Sequence, residues 1–252
     1  MTETAKTTIR SWLPRTIKPH RIIGGPLRGM RMVTSWHDYP AGITGRTEKQ
    51  LVAWFAQSVR PRETWLDIGA HYGYTSLALS RLVGPSGRVF SFEPFIASAG
   101  HLWATKRLNG LAQMSVIPIA LGDGRQLVAN RMAETRGMLD STMDACGGEL
   151  YLEAALDCFW PVIAERNPRI DGVKIDVQGM EIAVLRGMKE LLARWRPKLA
   201  LEFHRGVKRQ QIFELLEDSG YRLPGSAIEP VSGEENEPKH LDNKSYAFEA
   251  IG

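Results

Sequence analysis

Cysteine is scarce in this chain, long apolar runs are absent, and neither sign of charge dominates its main body. Only Cys146 and Cys158 occur among 252 residues. They have no CxxC spacing and no cluster of histidines beside them, which excludes a disulfide framework and a cysteine-based zinc site. Two inert thiols of a reducing, cytoplasmic compartment is the reading that remains. The apolar stretches LVAWFA and GVKIDV fall far short of the roughly 18 residues that span a bilayer. Residues 1–21 hold no secretory apolar core, so the chain reads as soluble and unexported, with no transmembrane segment. The formal net charge of +4 comes from the first 21 residues, where Lys6, Arg10, Arg15, Lys18 and Arg21 face Glu3 alone. The remainder is balanced. A basic arm of this kind is either a solvated terminus or a weak contact for an anionic surface, and no specific nucleic-acid partner is expected from it. Nothing in the composition bears on oligomeric state.

What is present is an alternation. After the arm, GGPLRGMRMVTSW suggests a hairpin or edge strand, and HDYPAGITGR a loop rich in glycine and proline. Thr47 with Gln50 three residues later fits a capping box opening the helix EKQLVAWFAQSV, which Pro61 closes. Strands TWLDI, RVFSF, MSVIPIA, GVKIDV and KLALEF then alternate with helices TSLALSRLV, IASAGHLWATKRLN, EIAVLRGMKELLARW and KRQQIFELLEDSG. Short apolar strands between amphipathic helices predict βαβ units, hence a doubly wound α/β fold with a largely parallel sheet. The domain division expected is a basic arm over 1–21 and one domain over 22–252, carrying the hairpin and a capping helix at its start. In such folds ligands bind beyond the carboxyl ends of the strands.

The first strand end reads LDIGAHYGYTS. Gly69 and Gly73 bracket a turn into a helix, where backbone N–H groups can approach a polar ligand. A dinucleotide fingerprint counted from Asp67 would need glycines there and at Tyr72, and no P-loop lysine is present, so NAD and triphosphate binding are disfavoured. The next strand ends at Glu93, where an acid can accept both hydroxyls of an adenosine ribose.

WLDIGAHYGYTSLAL, GRVFSFEP, IALGD, ALD at 155–157, and IDGVKIDVQGMEIAVLRGMKELL followed by RPKLALEFH together resemble the FkbM-type methyltransferases, over about residues 42–222. The resemblance implies a class I, Rossmann-like fold, S-adenosylmethionine as cofactor, and methyl transfer to a hydroxyl of a sugar, glycan or natural product. By position it puts Asp67, Gly69, Ala70, Gly73 and Tyr74 at the methionine end of the cofactor, Glu93 at the ribose, and Ala120 with Leu121 about the adenine. Glu48 would contact the amino-acid part, although an acid in a first helical turn is favourable in any case.

Asp176, at the fourth strand end, is the residue expected to orient or deprotonate the acceptor, directly or through a metal. Glu181 either shares that work or complements the dipole of the helix it opens. His204 is either a general base or a hydrogen-bonded histidine beside the cleft, with Glu202 two residues before it placed to orient it. The family pattern resembles KIDVEGAE, whereas this chain has Gln178 and Met180. The missing carboxylate weakens the case for a divalent metal, so no metal ligands are assigned. It also keeps open a non-catalytic cofactor- or partner-binding domain. A nucleic-acid methyltransferase is the remaining alternative, opposed by DVQG at the fourth strand end and by the absence of a Pro-Cys nucleophile. Met132, Met138 and Met143 in the irregular stretch 124–150 suggest an apolar lid.

Overall fold

Apolar runs separated by glycine turns become the strands of one large sheet. The structure is a computed structural model, described for residues 12–124, 126–129, 150–163, 168–234 and 237–251. Its order begins with a two-stranded hairpin, β1 (Lys18–Arg21) with β2 (Arg31–Thr34), followed by α1 (Pro40–Thr44) and α2 (Lys49–Ser58). Then come β3 (Thr64–Ile68), α3 (Tyr74–Val83), β4 (Arg88–Phe92), α4 (Ile96–Leu108) and β5 (Met114–Ile117). A small three-stranded sheet, β6 (Ala120–Leu121), β7 (Gln126–Ala129) and β8 (Leu150–Ala154), precedes α5 (Leu156–Ile163). The second half runs β9 (Gly172–Ile175), α6 (Glu181–Gly187), α7 (Lys189–Trp195), β10 (Lys198–Phe203), α8 (Arg209–Asp218), β11 (Ser226–Ala227) and β12 (Lys244–Phe248).

The seven-stranded sheet has the order β11-β12-β10-β9-β3-β4-β5. Strands β10, β9, β3, β4 and β5 are parallel, and β12 is antiparallel to β10. The chain builds outward from β3 in one direction, then crosses back to build from β9 in the other. The switch point therefore lies between β3 and β9, where this class of sheet opens a crevice at its carboxyl edge. Side chains alternate between two cores. Leu66, Ile68, Val173 and Ile175 join the cluster under α5 to α8, while Trp65 and Ala200 join the one formed with Phe55, Leu77 and Leu79. Covering both faces is what makes these strands read as nearly continuous apolar runs.

Several boundaries differ from expectation for identifiable reasons. The last four residues of the basic stretch pair with β2 as strand. The proline-bearing loop contains α1, with Pro40 at its first turn, where the missing N–H costs nothing. The capping box does not form. Glu48 itself is the N-cap of α2, in the left-handed region at φ 49°, without a side-chain cap bond. MSVIPIA divides into β5 and β6, which belong to different sheets. The helix expected over 181–195 breaks at Met188, which leaves helical geometry at φ −127°, just after Gly187, where a Cβ would lie 1.8 Å from the Gly122 carbonyl oxygen. Asp157 takes the N–H groups freed by the break, accepting from Glu190 at 2.9 Å and Leu191 at 3.0 Å. The lid methionines and Cys146 lie outside the described residues.

Candidate active site

Three parallel strands, β4, β3 and β9, end level with one another, and β10 runs two residues further. Their register pairs Phe92 with Ile68, Ile68 with Ile175, and Ile175 with Leu201. One residue beyond, the row becomes Glu93, Gly69, Asp176 and Glu202. Three carboxylates and a glycine thus line the edge of the sheet around the switch point.

The glycine turn is shaped by close approach. Gly69 has φ 79°, and a Cβ there would lie 1.8 Å from the Asp176 carbonyl oxygen, so no side chain fits between the two strand ends. The N–H groups of Gly69 and Ala70 both donate to the Phe92 carbonyl at 3.0 Å. Gly73 opens α3 from the left-handed region, at φ 87°. His71 N–H donates to Glu93 Oε2 at 2.7 Å, and Phe95 N–H to Oε1 at 3.0 Å. Each oxygen keeps a lone pair for a further donor. Burial pushes the Glu93 carboxyl up to about 7 despite those two N–H groups. Burial also lowers His71 to about 4, so its ring is neutral in ordinary buffers and its backbone is the part engaged with Glu93.

Beneath this edge sits a buried ion pair that sequence reading missed. Asp67 and Lys174 are register partners on β3 and β9, and period-two alternation turns both away from the core that holds Leu66 and Val173. Lys174 Nζ lies 3.3 Å from Asp67 Oδ1 and 3.3 Å from Asp176 Oδ2, and donates to the Gly69 carbonyl at 2.9 Å. Burial alone would lower its pKa, but the charges of Asp176, Asp67 and Glu48 outweigh it and raise it. Asp67 Oδ2 accepts from Thr75 and Ser76. The Asp67 carboxylate is buried, and its contacts with Thr75, Ser76 and Lys174 brace the glycine turn. The signal was available: a lysine inside an apolar strand is almost never buried unless paired.

At the opposite end, Glu181 is fully buried. Its Oε1 lies 2.6 Å from His204 Nδ1 and accepts the Gly179 N–H at 3.0 Å. Glu181, and not Glu202, therefore orients the imidazole. His204 Nε2 points the other way, 3.4 Å from Asp176 Oδ1 and 3.5 Å from Glu202 Oε1. Burial disfavours the imidazolium, but the Glu181 hydrogen bond and the charges of Asp176, Glu181 and Glu202 prevail and raise the His204 pKa. Glu202 is pushed up to about 8 by burial and then by Asp176. Among the described residues, His204 Nε2, Asp176 Oδ1 and Tyr74 Oη are buried polar atoms without a hydrogen-bond partner.

The remaining site residues surround this core. Glu48 accepts from Thr47 Oγ1 at 3.4 Å, and burial followed by the Asp176 charge raises its pKa against the pull of Lys174. Glu48 thus feels the charges of Lys174 and Asp176, which its position in the sequence does not reveal. Tyr74 is buried at the start of α3, and its pKa is raised by burial and by Glu48. Ala120 and Leu121 are both buried, and Leu121 packs into the larger core beside Leu156, leaving its backbone as the part able to flank a ligand.

A family model described as Methyltransferase FkbM domain matches residues 67–223. No curated protein matches significantly. Among solved structures, methyltransferase FkbM from Methylobacillus flagellatus KT aligns at 18% identity over 78% of this chain, with a TM-score of 0.52. The chain spans only 50% of that protein's length. Fibrillarin from Aeropyrum pernix, solved with natively bound S-adenosyl-L-methionine, aligns at 14% identity over 94% of this chain and 89% of its own, with a TM-score of 0.50. An rRNA methylase from Streptococcus thermophilus aligns at 11% identity over 83% of this chain and 99% of its own, with a TM-score of 0.51. At such identities these likenesses establish the class I methyltransferase fold. Among the described residues no helix is long and apolar enough to cross a membrane.

Proposed function

The chain belongs to the FkbM methyltransferase domain family, and we propose that it is an S-adenosylmethionine-dependent O-methyltransferase acting on a hydroxyl of a sugar, glycan or other small molecule. The observation that carries this reading is the level row of Glu93, Gly69, Asp176 and Glu202 across the switch point. A polar ligand is supported there by the orphaned buried atoms Asp176 Oδ1 and His204 Nε2, which lie 3.4 Å apart, and by the orphaned Tyr74 Oη at the start of α3. When bound, S-adenosylmethionine supplies an electrophilic methyl on a sulfonium.

The protein's own share is alignment and proton removal. Glu93 accepts the ribose hydroxyls on its free lone pairs, while Gly69, Ala70 and Gly73 let the turn approach the methionine end. Ala120 and Leu121 flank the adenine by their backbone, and Glu48 and Tyr74 face the amino-acid part. Asp67 acts indirectly, holding the turn through Thr75, Ser76 and Lys174. Asp176 holds the acceptor hydroxyl and takes its proton, with His204 beside it and Glu181 setting the imidazole's orientation. In-line displacement needs the acceptor oxygen behind the methyl, and positioning of this kind supplies much of such a rate enhancement. The domain assignment we propose is one methyltransferase domain from about residue 22, with the β1–β2 hairpin and α2 as its amino-terminal cover.

The test is calorimetric titration of the protein with S-adenosylmethionine and, separately, NAD, repeated on Glu93→Ala. Saturable binding of the methyl donor alone, weakened by the substitution, is expected. Binding of NAD in its place would overturn the cofactor assignment. Methylation of RNA, and not of a hydroxyl panel, would overturn the acceptor class.

A further inference from the structure

His204 has one nitrogen committed and one exposed to two anions. Because a carboxylate only accepts, Glu181 Oε1 at 2.6 Å fixes the proton on Nδ1. In the neutral ring Nε2 then carries the lone pair, aimed between Asp176 Oδ1 and Glu202 Oε1 at 3.4 and 3.5 Å. A direct bond from an imidazolium to a carboxylate would run at about 2.7–2.9 Å, so neither separation is that of a made hydrogen bond. Atoms bound to one ion at about 2.0–2.2 Å lie roughly 3.0–3.4 Å apart when adjacent in a tetrahedral or octahedral shell, close to the spacing seen. One ligand atom from each of Asp176, Glu202 and His204 falls within 4.8 Å of the others. The His204 side chain is 6% exposed, and Nε2 and Asp176 Oδ1 are buried without a hydrogen-bond partner among the described residues.

We propose that Asp176, Glu202 and His204 form a binding site for a divalent first-row transition ion. The donor set of two carboxylates and one imidazole suits Mn²⁺ or Zn²⁺ better than the all-oxygen shells preferred by Ca²⁺ and Mg²⁺. Three protein ligands leave coordination positions open, as catalytic sites require. Glu181 completes the arrangement, since a ligating histidine commonly gives its other N–H to a carboxylate that fixes the tautomer. Lys174 meets Asp176 through Oδ2, leaving Oδ1 for the ion. Gln178, whose lost carboxylate argued against a metal in the sequence, is not one of these three ligands. The site's existence rests on geometry alone. Only its purpose depends on the proposed function: an ion held there would lower the pKa of the acceptor hydroxyl and so ease the proton removal assigned to this site.

The experiment is titration of chelator-treated full-length protein with Mn²⁺, followed by electron paramagnetic resonance of the free ion, with S-adenosylmethionine binding measured on the same preparations. One Mn²⁺ per chain is expected. Glu202→Gln and His204→Ala should each weaken binding at least about tenfold, and Glu181→Gln by about 10–100-fold as an outer-shell change. Glu202→Gln is nearly isosteric at a partly exposed position, so it tests the site even if the His204 variant fails to fold. Absence of saturable Mn²⁺ binding to folded wild-type protein would overturn the proposal, as would binding indifferent to Glu202→Gln. Because donor binding is read separately, loss of the ion site and failure of the methyltransferase reading give different results.

Discussion

Asp176 and Glu93 occupy equivalent positions at the ends of β9 and β4, the two strands that flank β3, yet their surroundings differ. Asp176 keeps an orphaned oxygen facing His204, whereas both Glu93 oxygens already accept backbone N–H groups. Asp176→Asn preserves shape and removes the charge. Turnover should fall by about 10²–10⁴-fold, the usual worth of a positioned proton acceptor, with donor affinity changed much less. Comparing kcat with the calorimetric Kd checks this, and equal losses in both would contradict the assigned role. Glu93 has the opposite profile. Its carboxyl is held up at about 7 by burial, so it is ionised above that pH and protonated below it. In the role proposed for Glu93, ribose hydroxyls donate to the ionised form. Donor affinity should therefore weaken roughly ten- to thirtyfold between pH 8 and pH 5.5, and Glu93→Gln should flatten that dependence in the same titration.

Helices and strands were legible where one local rule acted alone. The parallel strands were visible from apolar runs and glycine turns, because covering both faces imposes the same pattern on each. The break between α6 and α7 was hidden, since EIAVLRGMKELLARW keeps helical periodicity throughout and nothing in it signals that Gly187 lies against the distant Gly122 backbone. Asp157 makes that break tolerable by accepting two N–H groups at the start of α7. Asp157→Ala should cost about 1–2 kcal/mol, as loss of a capping acceptor does. Urea denaturation would register this as a lower midpoint at unchanged slope. The capping box at Thr47 shows the reverse error: a valid local pattern was overridden when the chain entered α2 through Glu48 in the left-handed region.

Across the whole molecule, Lys174 joins what the chain keeps far apart. It ties β3 through Asp67, the glycine turn through the Gly69 carbonyl, and the end of β9 through Asp176. Lys174→Met would leave Asp67 buried without its cation, and removing one partner of a buried pair typically costs about 3–5 kcal/mol. Denaturation should show that loss, and the double variant Lys174→Met with Asp67→Leu should recover part of it. No recovery would mean that Lys174 acts mainly through Gly69 and Asp176.

The sequence by itself determined the α/β alternation, the strand ends that bear Glu93, Asp176 and His204, and the glycine turn, because each follows from local sterics and periodicity. Only the tertiary structure decided that Asp67 meets Lys174, that Glu181 and not Glu202 orients His204, and that Glu48 feels the charges of Lys174 and Asp176. The first two outcomes depend on strand register and on which β-strands become neighbours. Register is a relation between distant segments, set by the packing of two cores at once, and no short window of sequence carries it.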